Sequence, residues 1–499
     1  MNRRVECKRA AAVLCAAVLW AAPASGGEAP PETRQPLVAA FHVHSTVSTG
    51  SLTLDELADR AERMGIDALI LSENFSLRYE YGLPPLRGVF KRSVSLPSVA
   101  RYGVGRFLKE VADAQARHPR VLLVPGVEVA PHYYWTGSLL DRNLTMHNAQ
   151  KNLLVFGLAG KEEFLSLPTI GNDHASRFGW AAAANLLPVV LLWPALWLWQ
   201  RPYRAARWHH PAALGLAAAA ILLSMNAWPF AEPVFSQYDA GLGEHPYQAV
   251  IDAVSARGGV AVWSMPEARD FHVHSYGSLG TVTVRTDPYA EALSRTTGYA
   301  GFGGVYQDTR TAAEPGGLWD RLLSEHLAGQ RPAPPFAYGE IAFHTPGEAG
   351  IELNQVLNVL RVRERSVAGV VEAMKTGRVY AVAEPTNPLG LRLDRFEVGD
   401  DGGERAAQSG EIFVRKGPGG VTIRVAVSTA GAKPHTVELS LIRSGRTIAR
   451  ITGETPFTQR FMDRSLPAGE RAFYRLEVRG EGGREILSNP IFVMPGGSA

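Results

Sequence analysis

Two histidines that are two residues apart are the clearest sign of chemistry in this sequence of 499 residues. His42 and His44 end a predicted buried strand that begins at residue 37. Side chains two residues apart on a strand face the same side, so both imidazoles can reach one metal ion. Glu73 and Glu128 also follow predicted strands, at the carboxyl ends where parallel barrels place their active sites. The pattern predicts an active site at this end of a sheet.

Alternating strands and helices are predicted to position these residues. Thr53-Leu54-Asp55-Glu56 is a capping box that opens an amphipathic helix through Met64. Beyond it, the sequence predicts a second helix at residues 104–118 and strands at residues 67–72, 121–124 and 152–156. This alternation is typical of an α/β protein with parallel strands.

The order of these motifs resembles the PHP family, the polymerase and histidinol phosphatase superfamily of metallohydrolases. The shared order is H-x-H, a capped helix, a strand with a polar end, and then Gly126-Val127-Glu128. His344 falls where the family has D-x-H, and residues 367–382 resemble its closing helix and strand. The resemblance implies a distorted barrel of seven βα units that binds up to three divalent metals and hydrolyses phosphoesters or related bonds.

The resemblance further implies a metal site made of His42, His44, Glu128 and His344. Two neutral imidazoles and one carboxylate suit a single ion of zinc, manganese or iron and leave positions for water. Such an ion lowers the pKa of bound water and polarises a phosphoryl oxygen. Glu73, the predicted catalytic residue, serves either as a ligand or as a general base that assists proton transfer.

Several ligands of the family are missing from this sequence. Other residues stand at positions where the family has metal ligands: Thr49, Asn74, Met265 and Ala342. The histidine that the family has around the strand at residues 152–156 is not apparent in this sequence. These losses predict a site for one ion and not a cluster of two or three.

A second histidine pair offers one compensation. Phe271-His272-Val273-His274-Ser275 repeats the sequence of the first motif. If this segment lies at the mouth of the cleft, His272 and His274 supply further nitrogen ligands. The alternative is a pair of solvated loop residues.

Two apolar runs in the middle of the chain predict a transmembrane hairpin. They cover residues 180–199 and 211–230, each about the length of a membrane-spanning helix. Arg201, Arg204 and Arg207 lie in the short connection, which the positive-inside rule places in the cytoplasm. The flanking regions would then lie outside. The alternative is a pair of buried helices in a large soluble core.

The N-terminus has the pattern of a signal peptide over residues 1–24. Basic residues precede an apolar run at residues 10–22, and Ala22-Pro23-Ala24 offers a cleavage site. The alternative is an uncleaved N-terminal anchor. Cys7 and Cys15 both lie in this segment, so the mature chain would have no disulfide framework or cysteine-ligated zinc. The pattern predicts extracytoplasmic soluble domains, periplasmic in a Gram-negative cell.

These signals together predict an α/β fold with a further all-β domain. A distorted (β/α)7 PHP-type barrel occupies residues 36–178 and 231–384. The transmembrane hairpin, residues 179–230 with a cytoplasmic loop at 200–210, interrupts the barrel. Short alternating strands with close turns over residues 386–499 predict a C-terminal antiparallel β-sandwich.

The charge balance gives no sign of a nucleic-acid partner. The chain has 51 basic and 48 acidic residues and a formal charge of +3, which is too small to indicate one. The predicted partners are a membrane and a small phosphoester or related substrate, with a protein or a glycan as partner of the β-sandwich.

Three functions agree with the sequence. The leading hypothesis is an extracytoplasmic, membrane-anchored, metal-dependent hydrolase of the PHP type. The second is a catalytically inactive binding or scaffold protein, because residues such as Thr49 and Ala342 stand where ligands are expected. The third assigns the main role to the β-sandwich as an adaptor. Analogy at the level of the fold does not choose among them.

Overall fold

The computed structural model describes residues 34–175, 183–201, 208–226, 233–275, 280–307, 310–385, 390–402, 405–417, 419–431 and 433–496. The predicted signal peptide, residues 1–24, lies outside these ranges. Export of the chain therefore stays a prediction.

The helices alternate with strands in the first part of the chain. The described α-helices are Leu54–Arg63, Val99–Tyr102, Val104–Arg117, Lys161–Leu165, Leu192–Trp199, His209–Asn226, His245–Ser255, Ala292–Arg295, Leu318–Leu327 and Val367–Thr376. Short 3-10 helices lie at Asp173–Ala175, Ala184–Leu191, Ala240–Leu242, Glu348–Gly350 and Glu481–Gly483.

The first helix begins at the predicted capping box. The backbone N–H of Glu56 donates to the Thr53 hydroxyl at 3.3 Å, and the N–H of Thr53 donates to the Glu56 carboxylate at 2.8 Å. Leu57, Ala58 and Ala61 are the fully buried face of this helix. The cap and the apolar face together hold the helix beside the strands that carry the site.

The strands, in chain order, are β1 Gln35–Val43, β2 Ala68–Leu71, β3 Glu73–Asn74, β4 Arg78–Gly82, β5 Lys91–Ser95, β6 Leu122–Val124, β7 Gly126–Val129, β8 Tyr134–Thr136, β9 Leu144–His147, β10 Leu153–Phe156, β11 Val260–Trp263, β12 Asp270–Ser275, β13 Thr281–Thr286, β14 Gly301–Val305, β15 Phe336–Gly339, β16 Val356–Val362, β17 Val379–Ala383, β18 Arg392–Gly399, β19 Ala406–Gln408, β20 Ile412–Arg415, β21 Val421–Ser428, β22 Thr436–Arg443, β23 Arg446–Glu454, β24 Phe457–Asp463, β25 Ala472–Gly480, β26 Arg484–Ser488 and β27 Ile491–Pro495.

Two sheets carry the candidate site. One contains β16-β1-β2-β6 in this order, and the other has the order β15-β14-β11-β10-β7-β3. The chain passes from the first sheet to the second at Ser72, between β2 and β3, and again at Pro125, between β6 and β7. Because β1, β2 and β6 are parallel, and β3 is parallel to β7, their carboxyl ends meet at one edge. This edge positions the predicted histidines and Glu128.

One strand departs from the predicted parallel arrangement. β10 runs antiparallel to both of its neighbours, β7 and β11. The chain between β7 and β10 contains the strands β8 and β9, which belong to a separate sheet with β12 and β13. A parallel neighbour needs a crossover that returns the chain to the starting edge of the sheet, usually a helix. The region therefore does not repeat a strand and a helix throughout.

Beyond β17 the chain forms two sheets around a second core. One sheet has the order β19-β18-β21-β24, and the other contains β20-β27-β25-β26 with β22 and β23 beside β25. Buried residues alternate with less buried ones along β21, as expected for a strand with one face in a core. β26 pairs with β17, so this sheet continues into the sheet of β16 and β1.

The predicted fold class, a barrel interrupted by a transmembrane hairpin, is wrong. None of the helices in the described part of the chain is both long enough and apolar enough to cross a membrane. The first apolar run divides into the 3-10 helix Ala184–Leu191, which contains Pro188, and the eight-residue helix Leu192–Trp199. The described part of the second run lies in the helix His209–Asn226, which begins with two polar histidines. The described chain is an α/β fold with several sheets.

A buried ion cluster joins the C-terminal strands to the first part of the chain. Arg475 on β25 has a side chain with 0 % exposure. Its guanidinium donates to both carboxylate oxygens of Asp320, at 2.7 and 2.8 Å, and to Glu477 at 2.7 Å. Asp320 lies on the helix Leu318–Leu327, whose apolar residues belong to the core of the first part. Breaking a buried pair leaves a charge without compensation, which is strongly destabilising.

Replacing Arg475 tests how strongly this cluster couples the two parts. We expect Arg475→Ala to lower the free energy of unfolding by about 3–5 kcal/mol, because two buried carboxylates lose their cation. The matched control is Arg479→Ala, since Arg479 lies 3.5 Å from the same Glu477 but is 63 % exposed. Its effect should be under about 1 kcal/mol. Urea denaturation measures both, and equal effects would contradict the expectation.

Candidate metal centre

His42 and His44 come together through an irregularity in β1. The pairing with β2 shifts between Phe41 and Val43, and His42 has a φ of 74°, in the left-handed region. This conformation costs a residue other than glycine about 1–3 kcal/mol. Backbone bonds with Phe343 hold it, since the Phe343 N–H donates to His42 O and the His44 N–H donates to Phe343 O, both at 2.9 Å. The two buried rings lie 5.1 Å apart.

His42, His44 and Glu128 form one group whose candidate ligand atoms lie within 4.8 Å of one another. His42 Nε2 is 3.3 Å from Glu128 Oε1, and His44 Nε2 is 3.7 Å from Glu128 Oε2. Both Nε2 atoms are buried, and neither has a hydrogen-bond partner among the described residues. A buried polar atom without a partner costs about 1–3 kcal/mol, and a shared cation would satisfy both. Two nitrogens and a carboxylate fit one divalent transition metal.

Two asparagines hold the carboxylate of Glu128. Asn74 Nδ2 donates to Glu128 Oε2, and Asn152 Nδ2 donates to Glu128 Oε1, both at 2.6 Å. Asn74 stands where the resemblance leads one to expect a ligand, and here it positions a ligand instead. Asn152 was not predicted as a site residue. With both oxygens fixed by neutral donors, Glu128 keeps its negative charge for a cation.

Negative charge on both sides of His42 favours a cation at this place. Glu340 Oε2 lies 3.7 Å from His42 Nδ1, opposite the contact of Nε2 with Glu128. Burial of the ring opposes protonation, but Glu128 first and Glu340 second outweigh it and raise the pKa of His42 to about 10. Burial opposes ionisation of Glu128 as well, yet the charge of His42 lowers the pKa of this carboxyl. A proton on His42 or a metal ion can provide the positive charge.

Glu340 is a site residue that the sequence analysis missed. Its side chain has 0 % exposure, and its Oε2 accepts from the Met265 N–H at 3.0 Å and from the Ser264 hydroxyl at 3.2 Å. Its Oε1 has no partner among the described residues. Burial raises the pKa of Glu340, although His42 opposes this effect. Glu340 directly follows β15, so the strand-end criterion applied to other acidic residues could have found it.

His344 lies beside this group but outside it. Its ring stacks on that of His44, with centroids 4.1 Å apart and planes 9° apart. Its Nδ1 is 3.0 Å from Thr49 Oγ1. Burial and the charge of His42 lower the pKa of His344. The structure thus brings together three of the four predicted ligands and places the fourth next to them.

The carboxylate of Glu73 is occupied by the loop that follows His44. Its Oε1 accepts from the N–H of Ser45 at 2.8 Å and from the Ser45 hydroxyl, and its Oε2 accepts from the Ser48 hydroxyl. Burial raises the pKa of Glu73, while the Ser45 and Ser48 donors oppose the increase. The geometry supports a role in fixing this loop. The catalytic role stays a prediction, which these contacts do not favour.

His272 and His274 lie on β12, which pairs with β13 and has exposed side chains from Phe271 onwards. His272 Nε2 is 2.8 Å from Asp270 Oδ1. Neither histidine belongs to the group of His42. Their role as further ligands stays a prediction.

A cleft of about 370 Å³ opens over the site. Glu128 and His344 line it, together with Tyr79, Tyr289 and the guanidinium-bearing Arg269. This volume lies in the range of pockets that hold small ligands, and its mixture of aromatic and polar lining is typical of them.

No family model matches the chain, and no curated protein matches it. Solved structures do. A two-domain protein with a predicted PHP-like metal-dependent phosphoesterase from Bacteroides vulgatus is 13 % identical, with a TM-score of 0.36 over 89 % of this chain and 90 % of that one. A protein named as a metal-dependent phosphoesterase from Bifidobacterium adolescentis is 14 % identical, with a TM-score of 0.29 over 64 % and 91 %. An amidohydrolase from Chromobacterium violaceum with bound sulfate and no metal is 16 % identical, with a TM-score of 0.27 over 70 % and 98 %.

A PHP-like protein and a second metal-dependent phosphoesterase are thus among the structures to which the chain is similar, and the predicted cluster of two histidines and a glutamate is present. With TM-scores this low, we base the metal site on the chain's own residues.

Substitutions of Glu73 test its structural role. Glu73→Ala should lower the free energy of unfolding by about 1–3 kcal/mol, because buried donors of Ser45 and Ser48 lose their acceptor. Glu73→Gln keeps an acceptor and should cost less. Urea denaturation measures both variants, and equal losses would contradict the role.

The difference in the free energy of unfolding between wild type and Glu73→Gln should change with pH in a defined direction. Burial raises the pKa of Glu73, so the folded chain binds this proton more tightly than the unfolded chain. The stability that the protonated group contributes is fully present below its unfolded pKa and is lost as the pH rises through its folded pKa. The free energy of unfolding of wild type should therefore fall relative to that of Glu73→Gln as the pH rises. If the stability of wild type instead rises relative to that of Glu73→Gln with rising pH, the pKa of Glu73 is lowered by folding and not raised.

Proposed function

We propose that this chain is a phosphoester hydrolase that uses one divalent metal ion held by His42, His44 and Glu128. The observation that carries this proposal is a pair of buried Nε2 atoms beside a buried carboxylate. Among the described residues, neither nitrogen has a hydrogen-bond partner. Three protein ligands leave further positions at the ion for water and substrate, as catalytic sites do. The substrate class comes from the resemblance of the sequence motifs to the PHP family.

The residues around the ligands prepare them for an ion. Glu340 lies on the Nδ1 side of His42, so its charge favours a proton on Nδ1 and leaves the lone pair on Nε2. Asn74 and Asn152 hold both oxygens of Glu128 in place. When bound there, a divalent ion lowers the pKa of water and polarises a phosphoryl oxygen.

The lining of the cleft suits a small anionic ester. Arg269 adds a positive charge to the lining, and its guanidinium is 68 % exposed although it lies 3.6 Å from Asp287. Tyr79 and Tyr289 add aromatic surface. A phosphoester with an apolar or aromatic group matches both features.

A catalytically inactive binding protein is the second candidate. At positions of expected ligands, the Thr49 hydroxyl donates to Asn74 Oδ1, and Met265 contributes its backbone N–H to Glu340. A protein of this kind keeps the cleft but binds no metal. A chelator would then leave its stability unchanged.

Removing a ligand distinguishes the two candidates. We expect wild-type protein to contain about one equivalent of zinc, manganese or iron, since the ligand set fits one ion. His42→Ala and His44→Ala should lose the metal together with phosphodiesterase activity, as measured by elemental analysis and hydrolysis assays. A chelator should lower the stability of wild type by about 2.7 kcal/mol if the ion is present at 100 times its Kd.

His174→Ala is the matched control, because this histidine is exposed and lies outside the group. It should retain both metal and activity. Full activity of His42→Ala and His44→Ala would refute the assignment, and wild-type protein that is free of metal and insensitive to chelator would favour the binding protein.

A further inference from the structure

His344 and His44 cannot bind the same ion in the arrangement that the structure shows. Their rings are stacked, with planes 9° apart and centroids 4.1 Å apart. The lone pair of an imidazole nitrogen lies in the plane of its ring, and a bound ion lies in that plane about 2.0–2.1 Å from the nitrogen. An ion in the plane of His44 is displaced from the parallel plane of His344 by the stacking separation. His344 is therefore available for a different role.

The hydrogen bonds that lead from Glu128 to His344 have one consistent direction. Glu128 is a carboxylate and only accepts, so the Asn74 amide turns its Nδ2 towards it, at 2.6 Å. Asn74 Oδ1 then faces Thr49, whose hydroxyl donates to it at 2.7 Å. This bond uses the only proton of the hydroxyl. The 3.0 Å contact between Thr49 Oγ1 and His344 Nδ1 thus requires a proton on Nδ1.

This tautomer determines what His344 offers to a substrate. With the proton on Nδ1, the neutral ring keeps its lone pair on Nε2, on the other side of the ring. His344 lines the same cleft as Glu128. A nitrogen with a free lone pair therefore belongs to a residue that lines the cleft above the proposed metal ligands.

We propose that His344 is a catalytic residue that transfers a proton during ester hydrolysis and is not a metal ligand. This inference rests on the proposed function. The oxygen of a water molecule forms a bond to phosphorus while one of its protons passes to Nε2 of His344. The ester bond between phosphorus and oxygen breaks, and the leaving alkoxide takes that proton from Nε2. One water is consumed, an alcohol and a phosphomonoester form from a diester, and His344 returns to its neutral form.

Thr49 and Asn74 are positioning residues in this scheme. They act by fixing the tautomer of His344 through the hydrogen bonds described above. This explains why polar residues that cannot replace the missing ligands occupy these positions.

The test compares full-length wild type, His344→Gln, Thr49→Val and His42→Ala. His344→Gln should keep the metal content of wild type in elemental analysis, whereas His42→Ala should lose it. On an alkyl phosphodiester, kcat of His344→Gln should fall about 10²–10⁴-fold, the usual contribution of general acid–base catalysis. On a p-nitrophenyl phosphodiester the loss should be smaller, because that leaving group needs no proton. Thr49→Val should lose about 10–100-fold on the alkyl ester.

The tautomer itself has a readout that is independent of activity. Nitrogen-15 NMR of metal-free, histidine-labelled protein should show the proton of His344 on Nδ1, with the signal assigned by its absence in His344→Gln. In Thr49→Val this preference should be reduced.

The failures of the two proposals are distinguishable. If His344→Gln loses metal like His42→Ala, if its losses on both esters are equal, or if NMR places the proton on Nε2, the role of His344 is refuted while the hydrolase stands. If wild-type protein binds metal but hydrolyses neither ester, the proposed function is refuted, and the proton-transfer role with it.

Discussion

The site depends on two carboxylates that are buried beside one imidazole. Glu128 and Glu340 lie next to opposite nitrogens of His42, and a buried carboxylate is costly unless a cation accompanies it. In the chain without metal, the protonated ring provides that charge, which is why its pKa rises to about 10. A divalent ion would take over this compensation while Nε2 gives up its proton. Binding of a metal would therefore be coupled to release of a proton at this residue.

The scaffold brings these charges together through departures from regular strands. The left-handed backbone of His42 and the crossings between sheets at Ser72 and Pro125 put His42, Asn74 and Glu128 at one edge. Two amides fix the geometry of the Glu128 carboxylate. Neutral donors orient a carboxylate without competing for a cation, so the arrangement suits one ion better than a cluster.

The group of His42, His44 and Glu128 could be predicted because H-x-H spacing and the polar ends of strands are visible in a sequence. The strand-end position of Glu340 is visible in the sequence, but its contact with His42 is not, since that contact arises only where the segment after β15 meets β1. The sequence also gave no sign that the carboxylate of Glu73 would be bound by a loop. Apolar composition suggested a membrane hairpin, but composition alone does not specify unbroken helices of the required length. The local sequence pattern therefore predicted which residues could bind a metal. It did not predict which other residues contact them in the fold.

The missing ligands do not by themselves show a decayed site. A chain under no requirement to bind a ligand would gain stability from apolar side chains of similar volume at buried charged positions. Here Glu128, Glu340 and His42 remain as a buried charged group, and two imidazole nitrogens have no hydrogen-bond partner in the part of the chain that the structure describes. The replaced positions are also ordered, because Thr49 and Asn74 form a directed chain of hydrogen bonds between Glu128 and His344. Ligands are thus lost at the positions of Thr49 and Asn74, while the buried group of His42, Glu128 and Glu340 still requires a positive charge. A metal-dependent hydrolase needs such a requirement for a cation at its active site.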